Sequence, residues 1–194
     1  MKYMHHNIIV MLTIFLFITA CSNGERIKDI YDVRSDDFKK YTGTYVGNNS
    51  DVVAIINHLS GGGTVQSISL ENEMNYGAKE SGALTEEMIE TYWFNEKDTM
   101  KKNFLFNATY LVILVPNAKA YEFQIENKNF KITREEMLSI LHREFDDFPK
   151  EKDIWDKNKV IKFFNGNEEK IKMLVEDKDF RKSLFAKYPV SQLK

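Results

Sequence analysis

A predominantly apolar run of residues 8–18 constrains this chain most, because it stops three positions before the only cysteine, Cys21. A short polar start precedes the run, and the small residues Thr19 and Ala20 follow it. This layout is typical of a secretory signal peptide. As a helix the run would cover about 16 Å, roughly half of a bilayer's hydrocarbon core, so it is too short to span one. We therefore predict an export leader that takes no part in the folded domain.

Residues 18–21, Ile-Thr-Ala-Cys, resemble the lipobox of bacterial lipoproteins, with Ile where Leu is usual. The resemblance implies that a diacylglycerol is attached to the sulfur of Cys21 and that the leader is cut just before it. Because each buried CH2 contributes about 0.8 kcal/mol, two or more chains such as palmitate would hold the protein at the membrane. We predict lipidation at Cys21 and a lipid-anchored location on the extracytoplasmic face of the cell membrane. The alternative is a buried, inert cysteine inside an uncleaved anchor.

Composition indicates an ordinary folded body after the leader. The chain is 43% hydrophobic and 13% aromatic, which argues against disorder, and one cysteine allows no internal disulfide. A net charge of -2 with mixed signs gives no basic footprint, so we expect no nucleic-acid partner. The predicted organisation is a lipoprotein signal peptide over 1–20, a membrane-proximal tether over 21–37, an α+β domain over 38–145 and a charged, helical C-terminal extension over 146–194.

The first helix and hairpin of the domain are predicted from periodicity and turn residues. A helix capped by Asn49 or Ser50 has its apolar positions at Val52, Ile55, Ile56 and Leu59. The glycines 61–63 end it, and they follow the helix, whereas the glycines of a phosphate loop precede one. Alternating residues then predict a hairpin of strands over 65–71 and 74–80.

Two helices and a second hairpin are predicted downstream. Thr85 caps a helix whose expected buried stripe is Met88, Ile89, Tyr92 and Trp93, with a staple between Leu84 and Ile89. Residues 104–117 are the most apolar segment of the mature chain; we favour a buried helix, and a central strand is the alternative. Alternating residues predict strands around 121–125 and 130–132, and Thr133 with Glu136 forms a capping box for the next helix.

This order of elements predicts an α+β fold, with a small antiparallel sheet of two hairpins covered by helices. The C-terminal part, with apolar residues such as Ile171, Val175 and Leu184, is expected to form one amphipathic helix or a helix pair. We expect this part to dock on its own domain. Contact with another protein or with the bilayer surface stays open as the alternative.

Few residues offer chemistry. The mature chain has two histidines, His58 and His142, which excludes histidine-rich metal sites. His142 and Asp146, four residues apart, could share a helix face with Glu144 nearby, but a solvent-exposed ion pair is the ordinary outcome of such spacing. His58 lies at the edge of an apolar face, which is typical of a boundary residue. No nucleophile motif appears, and Asp146 with Asp147 suits a solvated turn, so we predict no catalytic, cofactor-binding or metal-binding residues.

Three stretches, "KYTGTYVGNNSDVVAIINHL", "ISLENEMNYGAKESG" and "ITREEM", resemble the domain of unknown function 4825 family. That family is found in Gram-positive bacterial lipoproteins and membrane-tethered proteins, and the resemblance covers roughly residues 38–145. This chain departs from the family pattern at Ser60 and the following glycines, where a proline is usual, and at residues 75–78. No catalytic residues are implied by the resemblance.

Two classes of function stay open at this point. The favoured one is a non-enzymatic lipoprotein that presents its domain to an envelope protein or ligand, with exposed aromatic anchors from "ETYWF" and "IKFF" if these are not buried. The alternative is an enzyme or small-ligand carrier with a pocket near His58 or His142 and converging carboxylates.

Overall fold

The computed structural model describes residues 26–69, 73–76 and 84–193, so the predicted leader and Cys21 lie outside the described residues. The helices described are α1 (Asn49–His58), α2 (Glu86–Trp93), α3 (Thr99–Leu114), α4 (Arg134–Glu144), α5 (Lys157–Glu176) and α6 (Lys178–Lys187), with short 3-10 helices at Ser35–Tyr41 and Gly62–Thr64. The strands are β1 (Val65–Ser69), β2 (Glu73–Tyr76), β3 (Ala120–Ile125), β4 (Lys128–Thr133) and β5 (Ser191–Gln192). The predicted α+β class with a helical C-terminal part is confirmed.

The five strands described lie side by side in the order β1, β2, β3, β4, β5. Strands β1 and β2 pair antiparallel, as do β3 and β4, so both predicted hairpins are present. Strands β2 and β3 run parallel, with Glu73 opposite Glu122 and Tyr76 opposite Ile125. The parallel pair arises because the chain crosses between the hairpins through α2 and α3, and such a connection brings the next strand back in the same direction.

Helix α3 is the centre of the fold and confirms the helical interpretation of its apolar run. Its residues from Asn103 to Leu114 are all buried. On one side the Phe104 ring lies 5.5 Å from that of Phe123 and 5.8 Å from that of Phe130, both in the sheet. On the other side the Tyr110 ring lies 4.9 Å from that of Phe164 in α5. The helix therefore separates the sheet from α5, and its apolar residues are needed all round its surface.

Local sequence explains most helix ends, with two corrections. The side chain of Asn48 caps α1 by accepting a hydrogen bond from the Asp51 backbone N–H, so the predicted cap at Asn49 or Ser50 was wrong by one or two positions. Thr85 caps α2 as predicted, but Met88 is 43% exposed and does not belong to the buried stripe. The Thr133 capping box of α4 is confirmed.

The N-terminal and C-terminal parts share one core with the central helix. Within the predicted tether, Ile27, Ile30 and Val33 are buried in this core. The C-terminal residues form a helix pair, α5 and α6, that buries Phe163, Phe164, Ile171, Val175, Leu184 and Phe185. None of the helices in the described ranges has the length and apolar character needed to cross a bilayer.

Candidate functional site

The only site residue that the sequence predicts is Cys21, and the structure describes the chain after it from Arg26 onward. Residues 26–33 form what is here called the N-terminal segment. Its Lys28 carbonyl accepts a hydrogen bond from the backbone N–H of Gly61 at 2.8 Å and another from the hydroxyl of Tyr92 at 2.9 Å. The segment that follows the predicted lipidation site is therefore bonded to the body of the domain.

A buried polar network holds this connection in place. Ser60 Oγ donates to Asn103 Oδ1 at 2.8 Å, and Asn103 Nδ2 donates to the Tyr92 hydroxyl at 2.9 Å. The Asn107 amide donates to the Ser60 carbonyl at 2.9 Å. Burial raises the pKa of Tyr92 to about 12, so its hydroxyl stays protonated and can donate to Lys28. These hydrogen bonds hold the N-terminal segment against α2 and α3, and they pair the buried side chains of Ser60, Tyr92 and Asn103 with one another.

The sequence alone did not single out this network. Asn103 directly precedes, and Asn107 lies within, the apolar stretch 104–117, for which the prediction concerned only helical or strand character. Two amides inside a buried helix are themselves informative, because buried polar side chains need hydrogen-bond partners. That spacing of four residues places both amides on the α3 face that meets Ser60 and Tyr92.

A groove beside α2 opens next to the N-terminal segment and is called the α2 groove. It encloses about 730 Å³ and is lined by Arg26, Ile27, Glu87, Met88, Thr91, Tyr92, Asn95 and Lys97. Its apolar lining comes from Ile27, Met88 and the ring of Tyr92. Phe94, which directly follows α2, is 41% exposed.

A second cavity lies between the start of α3 and helix α6 and is called the basic cavity. It encloses about 720 Å³, and its lining is Glu96, Lys97, Asp98, Lys101, Lys102, Lys178, Arg181, Lys182, Phe185, Ala186, Pro189 and Val190. Asp98 Oδ1 lies 3.4 Å from Lys101 Nζ, and its Oδ2 lies 3.5 Å from Arg181 Nε. Six basic and two acidic side chains thus meet at one depression.

Sequence reasoning missed the basic cavity, although its parts can be seen in the sequence. The stretches "KDTMKK" at 97–102 and "KDFRK" at 178–182 are each rich in lysine and each begin a helix. They are about eighty residues apart in the chain, counted from 97 to 178. Only the packing of α6 beside the start of α3 brings the two stretches together.

The predicted histidine positions do not form a catalytic group in the described structure. The His58 ring lies 6.0 Å from that of Phe38 and 6.2 Å from that of Tyr41, as expected of a boundary residue. His142 is exposed, and its ring packs edge-on against Phe148 at 4.9 Å. Helix α4 ends at Glu144, so the expectation that Asp146 shares its face was wrong.

Acidic and histidine side chains do not converge elsewhere in the described ranges. There, no three or more side chains of His, Cys, Asp and Glu are grouped closely enough to hold a metal ion. Asp147 accepts a hydrogen bond from Asn167 of α5 at 2.9 Å and so takes part in docking that helix. Neither the α2 groove nor the basic cavity includes His58 or His142 in its lining.

Fold and geometry together define an α+β domain whose N-terminal segment is clamped to its core beside two surface depressions. The family model described as Domain of unknown function (DUF4825) matches residues 38–134, which is half of the chain. The protein therefore belongs to this family, and the match runs from the first 3-10 helix through both hairpins to the start of α4. Comparisons with curated proteins and with solved structures find no match.

Proposed function

We propose that this protein is an extracytoplasmic lipoprotein, held at the cell membrane by acyl chains on Cys21, whose domain is a non-enzymatic binding module of the envelope. One observation carries the proposal: the chain's only cysteine ends a lipobox-like quartet and stands six positions before Ile27, which is buried. An export leader joined so closely to a folded domain suits a protein that works at the membrane surface.

The short spacing between Cys21 and the domain would keep the domain close to the membrane surface. Arg26 stands five positions after Cys21, and even a fully extended chain of this length reaches only about 18 Å. A domain of this size is about 40 Å across. The anchored end of the domain would therefore stay next to the lipid headgroups, and its partner would have to lie at or near the membrane.

The distribution of polar and aromatic groups supports binding over catalysis. Burial alone would raise the pKa of Glu122, but hydrogen bonds from Lys131 and Asn129 outweigh it and hold the pKa below its usual value. This carboxylate is thus occupied within the sheet. At the surface, Tyr45 and Trp155 are 61% and 41% exposed with ring centres 4.9 Å apart. Paired aromatic side chains are frequent anchors of protein interfaces.

Only part of the aromatic surface expected from "ETYWF" and "IKFF" is available. Trp93, Phe163 and Phe164 are buried in the core, whereas Phe94 is partly exposed. The aromatic anchors for a partner would therefore be Tyr45 and Trp155, which are more than a hundred residues apart in the chain.

The proposal is tested on the protein purified from membranes of its native host. Mass spectrometry should find a mature chain that begins at Cys21 and carries a diacylglycerol on the sulfur. A Cys21→Ser variant should leave the membrane fraction, because the thiol is the attachment point, while a Ser22→Ala control should remain there. An unacylated Cys21, or a retained leader, would contradict the anchor.

Crosslinking in the same membranes tests whether the domain binds an envelope protein. The intact protein should capture a specific envelope protein, and a Trp155→Ala variant should capture less of it, because the exposed aromatic pair is broken. Met173→Ala is a suitable control, since Met173 is exposed but lies apart from that pair. Repeated failure to capture any partner would count against the binding role.

A further inference from the structure

We infer that the basic cavity binds the phosphate headgroups of anionic lipids in the membrane to which the chain is anchored. This inference rests on the proposed lipid anchor at Cys21, and it adds an orientation: the side of the domain with α6 and the start of α3 faces the bilayer. The occupant is a bilayer surface that carries phosphodiester groups.

The basic cavity adjoins the N-terminal segment at two points. Lys97 lines both the basic cavity and the α2 groove, and that groove also contains Arg26 and Ile27. In addition, Glu176 accepts a hydrogen bond from the Tyr31 hydroxyl at 3.2 Å and pairs with Lys102 of the cavity at 2.6 Å. The side chains that line the cavity are therefore neighbours of the segment that leads to Cys21.

The charges of the basic cavity are not balanced within it. Lys101 and Arg181 share Asp98, and Lys102 is paired with Glu176. The remaining cations, Lys97, Lys178 and Lys182, take part in none of the ion pairs among the described residues. Since the whole chain has a net charge of -2, this concentration of positive charge is a property of one face. An anionic surface would supply the missing partners.

The distance from the anchor makes a lipid surface the fitting source of those anions. At physiological salt the Debye length is about 8 Å, so lysines attract anionic lipids only when they are held close to them. The four residues between Cys21 and Arg26 keep Arg26, at the start of the N-terminal segment, within about 18 Å of the anchor. Each lysine near an anionic surface then contributes about 1 kcal/mol of binding.

The apolar residues of the same region are also suited to the boundary between water and lipid. Phe185, Pro189 and Val190 line the basic cavity between its lysines. Met88 lines the adjoining α2 groove and is partly exposed. Lysine side chains beside partly exposed apolar groups are typical of surfaces that rest on lipid headgroups.

The inference is tested with the mature chain carrying Cys21→Ser, so that no acyl group contributes, and with sedimented vesicles. We expect binding to vesicles of phosphatidylcholine with phosphatidylglycerol and little binding to phosphatidylcholine alone.

The triple variant Lys97→Gln, Lys178→Gln and Lys182→Gln should bind about tenfold more weakly or worse. A control triple with the same charge change, Lys119→Gln, Lys152→Gln and Lys157→Gln, should stay within about twofold of the unsubstituted chain, because these exposed lysines lie outside the cavity. Thermal unfolding of both triples verifies that they are folded.

Any of the following three results would overturn the inference. Absence of any preference for phosphatidylglycerol vesicles removes the lipid surface as the occupant, and equal losses in the two triples remove the basic cavity as the site. Displacement from vesicles by soluble glycerophosphoglycerol at low concentration would identify a small phosphodiester as the ligand instead. Because this chain carries no acyl group, these failures leave acylation of Cys21 untouched. An unacylated native protein would overturn the anchor itself and is detected separately by mass spectrometry.

Discussion

At the scale of single residues, Gly61 makes the turn after α1 possible. It has a φ of 71°, in the left-handed region where a side chain is strained. A Cβ at this position would lie 2.5 Å from an atom of the Trp93 ring. The same residue donates its backbone N–H to Lys28. Glycine is therefore required here by backbone conformation and by the closeness of the indole, and it also joins the N-terminal segment to the body.

Replacing this residue tests both requirements. Gly61→Ala should lower the free energy of unfolding by about 2–4 kcal/mol, because backbone strain adds to the contact with Trp93. Urea unfolding followed by tryptophan fluorescence measures the change. Gly63→Ala is the matched control, since a Cβ there meets nothing within 4 Å, and it should change stability by less than about 1 kcal/mol. Equal effects of the two substitutions would contradict the argument.

At the scale of elements, the N-terminal segment is attached through α2 and α3. Tyr92 of α2 donates to the Lys28 carbonyl while accepting from Asn103 of α3, so one hydroxyl joins three parts of the chain. Trp93, the next residue, donates from its indole to Thr64 Oγ1 at 3.0 Å. This arrangement joins the N-terminal segment directly to the central helix.

Removing the Tyr92 hydroxyl should loosen the attachment of the N-terminal segment. Tyr92→Phe leaves Lys28 and Asn103 without a shared partner, so we expect a loss of about 1–2 kcal/mol in unfolding free energy. Hydrogen exchange should also become faster at the Gly61 amide, which bonds to the same carbonyl. Tyr31→Phe is the control, because the Tyr31 hydroxyl makes an exposed bond to Glu176, and its effect should be under about 0.5 kcal/mol. An unchanged exchange rate at the Gly61 amide would refute the role of the Tyr92 hydroxyl in holding the N-terminal segment.

At the scale of the whole molecule, a carboxylate of α5 joins the N-terminal part of the described chain to its C-terminal part. Glu168 accepts a hydrogen bond from the Ser35 backbone N–H at 2.8 Å and pairs with Lys172 at 2.9 Å. Burial alone would raise the pKa of Glu168, but these bonds to its ionised form hold the pKa below its ordinary value of 4.5. Ser35 begins the 3-10 helix that precedes α1, so the bond unites elements separated by most of the sequence.

The sign of the resulting pH dependence follows from the lowered pKa. A carboxylate with a lowered pKa in the folded state stabilises the fold fully above its unfolded pKa, and this stabilisation is lost as the pH falls through the folded pKa. Glu168→Gln should therefore cost about 1–2 kcal/mol at neutral pH, and its difference from the unsubstituted chain should shrink as the pH falls below 4.5.

Urea unfolding at a series of pH values measures this difference. Glu169→Gln is the matched control: Glu169 also pairs with Lys172, but it is 79% exposed, so its removal should cost under about 0.5 kcal/mol at every pH. A difference for Glu168→Gln that stays constant down to the acid transition would contradict the assigned role.

Local patterns in the sequence were sufficient for most of the elements and for two of the helix starts. Thr85 and the Thr133–Glu136 box predicted two helix starts, and alternation predicted both hairpins, because caps and turns depend on residues only a few positions apart. The apolar run of α3 was ambiguous between helix and strand for the same reason: a segment buried all round has no polar face from which to read a period. The leader and Cys21 likewise stay a prediction from sequence.

Tertiary structure alone decided how these elements meet. The parallel pairing of β2 with β3, the engagement of Asn103 by Ser60 and Tyr92, and the meeting of Lys97 with Lys178 all join residues far apart in the chain. Such contacts depend on how helices and strands pack around α3, and no local spacing encodes them. The sequence by itself thus determined the kinds of element and the expected anchor. Packing over long sequence separations determined the core, the attachment of the N-terminal segment and the basic cavity.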